Sequence, residues 1–231
     1  MSLHIYMDVE TIPSEKIPEL EELKCPGNIK KPESIAAWWA DMARQDDLAE
    51  LHHKTSVDPY AGRIFCVAWA INDDPIDVVW GDDEKEVLGL LEQKFQSLKE
   101  TSRRKYESLS VSHIVGYNFK NFDNPYLKLR AIKYKYDLLN RIFPSRQFIN
   151  RIDDMMEIGM ITMRVTADKY VSQDKLAKFF GLPGKGEIDG SMVWDYYKQG
   201  KKQEIADYCK NDVEQLRILH QLMVEPNYME D

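Results

Sequence analysis

The chain has little cysteine. Its 231 residues include three, Cys25, Cys66 and Cys209, with no Cys-x-x-Cys pair. A set so sparse and odd argues against a disulfide framework or a zinc site and for a reducing compartment. No stretch is long and apolar enough to cross a membrane. The N-terminus has no basic segment followed by an apolar run, so no secretion signal is expected and a cytoplasmic location is. There is no internal repeat and no low-complexity linker. There is no excess of positive charge either: the formal net charge is −8. That argues against a general nucleic-acid coat protein, which carries a basic surface. It leaves room for a nucleic-acid enzyme, because bound cations bring their own charge to an acidic site.

What is present is an ordinary globular composition, 43% hydrophobic and 30% charged. Residues 3–9 read as an apolar strand. Residues 33–51 carry Ile35, Trp38, Trp39, Met42 and Leu48 at roughly helical spacing, and 52–62 read as a loop. The paired tryptophans suit a helix packed on a sheet or a wall on which a base stacks. Residues 64–71 and 76–80 are strands joined by the turn Asn72-Asp73-Asp74-Pro75, a hairpin. Asp83 caps a helix through Val87, Leu88, Leu91, Phe95 and Leu98, and Lys99–Lys105 is basic and polar. A strand over 112–117 leads into a helix through Ile132. Residues 140–152 look irregular, with a short strand ending at Asp153 or Asp154. Residues 155–163 look helical. Ser172 caps a helix stopped by Gly181, 192–197 is a short helix stopped by Gly200, and the last helix runs from about 202 to 223. The pattern predicts one α/β domain over residues 1–231, a mixed central sheet flanked by helices, with an elaboration at about 12–60.

The chemistry lies where apolar elements end in carboxylates. Asp8 and Glu10 alternate with Val9, so they share one face of the first strand. Two like charges there are unfavourable without a cation, although a strand-end Asp-x-Glu alone reads equally well as surface. Asp123 begins a helix and on its own reads as an N-cap. It ends, however, the string Gly116-Tyr117-Asn118-x-x-x-Phe122-Asp123, which a plain cap does not need. Tyr208 and Asp212 are four apart on a helical face that Ile205, Leu216 and Leu219 continue toward the core. A carboxylate there is costly unless paired or metal-bound; a Tyr–Asp hydrogen bond is the plainer reading. Asp153 and Asp154 suit a structural or supporting role.

Taken together, Asp-x-Glu, Asn-x-x-x-Phe-Asp and Tyr-x-x-x-Asp in this order resemble the DEDD superfamily of 3′→5′ exonucleases, and the tyrosine resembles its DEDDy branch. The middle string is most similar to the proofreading exonuclease domain of family-B DNA polymerases. The strings Lys185-Gly186-Glu187-Ile188-Asp189-Gly190-Ser191 and Ile205-Ala206-Asp207-Tyr208-Cys209 resemble stand-alone bacterial and phage relatives of that domain. The five histidines, His4, His52, His53, His113 and His220, are scattered. In the branch that uses histidine it stands five before the last Asp, where this chain has Asp207.

The resemblance implies an RNase H-like fold and a 3′→5′ exonuclease acting on single-stranded DNA ends. It implies that Asp8, Glu10, Asp123 and Asp212 hold two divalent ions, Mg2+ or Mn2+, which suit hard oxygen ligands. Two such ions stabilise the attacking and leaving oxygens of an in-line displacement. Tyr208 would orient the attacking water. Thr11 would contact the terminal nucleotide, with Ile12 on the last base. Asn118 and Phe122 would meet the penultimate one, though Phe122 reads equally as core. An exoribonuclease of the same fold and a catalytically silent nucleic-acid-binding domain are the alternatives. A separate polymerase or repair protein is the expected partner.

Overall fold

The computed structural model describes residues 3–41, 44–101, 112–162, 170–184, 186 and 188–224. Met42, the part of the Lys99–Lys105 run beyond residue 101, Met163, Lys185 and Glu187 lie outside the described residues. Two compact units are present, Met1–Glu10 with Ile64–Asp231, and Thr11–Arg63.

In the larger unit, β1 begins at His4 and as an element spans His4–Ile12, longer than the strand expected to end at Val9. Its apolar residues explain the extension: Val9 and Ile12 are buried as completely as Ile5 and Met7. In chain order the elements that follow are α1 (Pro32–Ala40), α2 (Arg44–Lys54), β2 (Arg63–Ile71), β3 (Asp77–Trp80), α3 (Glu84–Thr101), β4 (His113–Gly116), α4 (Asp123–Tyr134), α5 (Asp137–Ile142), β5 (Ile152–Asp154), α6 (Met155–Thr162), α7 (Gln173–Phe179), α8 (Val193–Lys198) and α9 (Lys202–Met223). The sheet order is β3-β2-β1-β4-β5. β2 and β3 form the expected antiparallel hairpin, with Val67 opposite Val79. β1 and β4 are parallel, His4 opposite His113, and β4 and β5 are parallel, Val115 opposite Asp153. The N–H of Asn72, just past β2, donates to the carbonyl of His4 at 3.0 Å, so β2 runs antiparallel to β1.

Alternation along β1 divides the unit. Ile5, Met7 and Val9 join Leu88, Leu91, Phe95, Tyr126, Leu127, Leu139 and Ile142 in the main core. The other face carries His4, Tyr6, Asp8 and Glu10. α9 packs there, as the 3.1 Å contact between Tyr6 Oη and His220 Nδ1 shows. Two buried acids on the core side are hydrogen-bonded. Glu84 accepts from the Ile64 N–H and from Arg130 Nε, at 2.9 and 2.8 Å. Glu92 accepts from the N–H groups of Leu138 and Leu139, at 3.0 and 2.9 Å, and so caps α5. That cap comes from a residue on another helix, which is why the local sequence does not announce α5. Asp83 Oδ1 caps α3 as expected, accepting from Lys85 and Glu86. Ser172 caps α7, and Gly181 and Gly200 follow their helices at positive φ.

In the smaller unit, the pattern that suggests one helix over 33–51 is two, α1 and α2, and α2 continues to Lys54 through the start of the expected loop. α1 ends where Asp41 takes an extended conformation, its N–H donating to the Trp38 carbonyl at 3.4 Å. Trp38 and Trp39 meet edge to face, centroids 4.6 Å apart, with the Arg44 guanidinium 4.3 Å from the Trp38 centroid. Thr11 is buried, and its hydroxyl donates to the Ser56 carbonyl at 2.6 Å. Ile12 is buried as well.

Candidate active site

Asp8 and Glu10 project from β1 toward α9. The helix returns Asp212 to them, and carboxylate oxygens of Asp8, Glu10 and Asp212 all lie within 4.8 Å of one another. Glu10 and Asp212 are buried, and Asp8 is half-buried. Three acids this close, with little water between them, repel strongly unless a proton or a cation intervenes. Cys209 softens the crowding at Asp8. Its sulfur lies 3.4 Å from both the carbonyl and the Oδ2 of Asp8. Burial, then the neighbouring Cys66, pushes the Cys209 thiol up, so it keeps its proton and donates.

Tyr208 closes the group from α9 and is hydrogen-bonded to Asp212. Burial pushes its phenol well above the ordinary value, and the negative charges of Glu10, Asp212 and Asp8 push it further. Without a bound cation it is therefore a neutral phenol, able to donate and accept.

Asp123 enters from the other side of β1. β4 ends at Gly116 whereas β1 continues, and the Val9 N–H donates to the Asp123 carboxylate. Asp123 is 3% exposed. Burial raises its carboxyl well above the usual range, and the Asp8 charge adds to this. Among the described residues, Asp123 does not join the 4.8 Å group.

The turn between β4 and α4 is organised by Asp154, 1% exposed. One of its oxygens accepts from the Asn118 and Met156 N–H groups at 2.9 and 3.1 Å; the other accepts from the Lys120 N–H at 3.0 Å. Asn118 sits at φ 55, a left-handed conformation that asparagine tolerates. The supporting role expected for Asp154 is this one. The turn also needs Gly116: a Cβ there would lie 2.4 Å from the Cβ of fully buried Phe119. Gly116→Ala is expected to destabilise the protein by about 1–3 kcal/mol through overpacking, read as a lowered melting temperature and as reduced activity when the turn shifts.

An open cleft of about 1070 Å3 gathers these groups, and Asp8, Glu10, Asn118, Phe122, Asp123, Tyr208 and Asp212 all line it. The Phe122 ring also packs on the core, 5.4 Å from that of Tyr126, as its core reading expects. Thr11 and Ile12 close β1 and are described with the smaller unit; the Thr11 hydroxyl is engaged by Ser56. The donor set of the cleft is all oxygen, and its crowded buried acids are of the kind a hard divalent cation relieves.

Residues 75–220 match the family described as a predicted 3′-5′ exonuclease related to the exonuclease domain of PolB. The chain belongs to this family. The match contains Asn118, Phe122, Asp123, Tyr208 and Asp212; Asp8 and Glu10 precede it. Among curated proteins, the chain is similar to a DNA polymerase of Archaeoglobus fulgidus, 23% identical over 164 residues, covering 67% of this chain and 19% of the polymerase. Among solved structures it is similar to the family B DNA polymerase of Pyrobaculum calidifontis, with a TM-score of 0.58 and 18% identity, over 97% of this chain and 25% of that one. The chain thus spans about a fifth to a quarter of the relatives it matches. The RNase H-like α/β architecture expected from the motifs is the one observed.

Several contacts of this exonuclease-like domain carry no signal in the sequence. Cys209 bonds Asp8. Gln173 on α7 donates to the Asp212 carbonyl at 2.8 Å and ties that helix to α9. Tyr117 donates to the Val171 carbonyl across the cleft wall, and burial raises its phenol. Each partner is distant in the chain, so no local pattern marks the pair.

Proposed function

We propose that this protein is a metal-dependent 3′→5′ exonuclease that hydrolyses phosphodiester bonds at single-stranded DNA 3′ ends, and that the Thr11–Arg63 segment elaborates that single catalytic domain. The observation that carries the reading is the meeting of Asp8, Glu10 and Asp212 with Tyr208 in one cleft. The family membership supports it independently. Asp8, Glu10 and Asp212 would hold Mg2+ or Mn2+, with Asp123 completing the acidic set. Divalent ions bound there supply charge neutralisation for a phosphoryl group in displacement. The chain's own contribution is positional. Tyr208, neutral and anchored on Asp212, would orient the attacking water. Asn118 and Phe122 line the wall where a base enters, by hydrogen bonding and stacking. Thr11 would contact the terminal nucleotide, with Ile12 on the last base. A separate polymerase or repair protein is the proposed partner.

The test is a 5′-labelled single-stranded oligonucleotide incubated with Mg2+ or Mn2+. A ladder shortening from the 3′ end is expected, and matched RNA should be cut more slowly. An intact substrate, or products that keep the 3′ end, would overturn the reading. Tyr208→Phe keeps the ring and loses the hydroxyl. Its expected turnover is lower by roughly 100-fold, the low end for a positioned proton-handling group.

A further inference from the structure

The face of the sheet beneath α9 carries a second set of ligating side chains at its opposite end. His4 opens β1 and lies in register with His113, which opens β4. Asp153 on β5 is in register with Val115, two residues beyond His113. The period-two alternation therefore puts His4, His113 and Asp153 on the same face. α9 lays His220 over them, eight residues and so about 12 Å along the helix from Asp212.

The geometry is that of a ligand set. A ring nitrogen each of His4 and His220 and a carboxylate oxygen of Asp153 lie within 4.8 Å of one another. Asp153 Oδ2 is 3.4 Å from His113 Nδ1 and 3.9 Å from His220 Nε2. The His4 ring centroid is 5.0 Å from that of His220 and 6.1 Å from that of His113. Bond lengths of about 2.0–2.1 Å around a tetrahedral ion separate its ligand atoms by about 3.3 Å, so closure needs only small side-chain movements. His220 is fully buried, and the Tyr6 hydroxyl lies 3.1 Å from its Nδ1. When Nδ1–H donates to that hydroxyl, Nε2 presents its lone pair to Asp153. A hydrogen bond on the far ring nitrogen is the usual orienting device of a metal-ligating histidine.

We infer that His4, His113, Asp153 and His220 form a second metal site, for a zinc-class transition ion, which pins the last turn of α9 to the sheet. Imidazole favours zinc, copper, iron and nickel, whereas the all-oxygen set at Asp8, Glu10 and Asp212 favours magnesium and manganese. The two ends of one sheet face therefore select different metals, and the inference stands whether or not the cleft is a nuclease. A site built from residues 4, 113, 153 and 220 also joins β1, β4, β5 and α9, so binding is coupled to the fold.

The test uses the tag-free full chain, stripped of metal and kept in excess Mg2+. Titration with Zn2+ is expected to show one tight equivalent and to raise the melting temperature. Co2+ in its place should give the intense visible absorption of a tetrahedral site. Both signals should survive Asp8→Ala with Asp212→Ala, and weaken by at least roughly tenfold in His4→Ala and in Asp153→Asn. The latter two sites are partly exposed, so the outcome does not depend on the fully buried His220. No Zn2+ binding, binding that disappears with Asp8 and Asp212, or binding unchanged in His4→Ala and Asp153→Asn would overturn the inference, leaving an ion-pair network around Asp153.

Discussion

Asp8→Ala and Asp212→Ala are each expected to lower 3′-end shortening by roughly 1000-fold or more, the scale of losing a preorganised electrostatic contact in a water-poor site. Asp8 is central on geometric grounds. It shares the 4.8 Å group with Glu10 and Asp212, and its charge also reaches Asp123. Removing it takes one ligand from the cluster and leaves the others less crowded. The variant should therefore fold at least as well as the wild type while losing activity. Circular dichroism and melting beside the oligonucleotide assay check both halves. Full-rate degradation by a folded Asp8→Ala protein would place the chemistry elsewhere.

Asp123→Asn is expected to stabilise the metal-free protein at neutral pH, while abolishing activity. The sign follows from what burial does to the carboxyl. It holds the proton more tightly in the folded protein than in the unfolded chain, because the buried charged form has lost its water. Between the unfolded and the folded pKa the folded protein binds more protons than the unfolded chain, so stability falls as pH rises through that window. Above the folded pKa the whole penalty is present. An amide carries no charge at any pH, so the variant removes that slope. Urea melts of both proteins at pH 4, 6 and 8 in chelator check it: the curves should converge at low pH and separate at high pH. A variant less stable at pH 8 than at pH 4 relative to wild type would contradict the assignment of Asp123 as a strained acid.

The carboxylates are legible because each ends an apolar element whose period is clear. β1 alternates, and α9 has a core-facing stripe from Ile205 to Leu219, so Asp8, Glu10, Tyr208 and Asp212 can be placed on faces from the sequence alone. What stays hidden depends on partners far away in the chain. α5 is capped by Glu92 from another helix. The Asn118–Phe122 turn is held by Asp154, more than thirty residues later. The division of 33–51 into two helices follows from the extended conformation at Asp41, which helical spacing alone does not reveal. The histidines look scattered in the sequence because only the sheet and the helix α9 packed on it bring residues 4, 113 and 220 together. The sequence leaves Thr11 free to contact substrate, and the fold shows its hydroxyl committed to Ser56.

The most direct measurement of the metal site is an anomalous difference map from crystals soaked in Mn2+. A strong peak bounded by the carboxylates of Asp8, Glu10 and Asp212 is expected, absent from crystals of Asp8→Ala. A map with no peak among those three residues, from protein that still degrades DNA with Mn2+, would contradict the proposed catalytic centre.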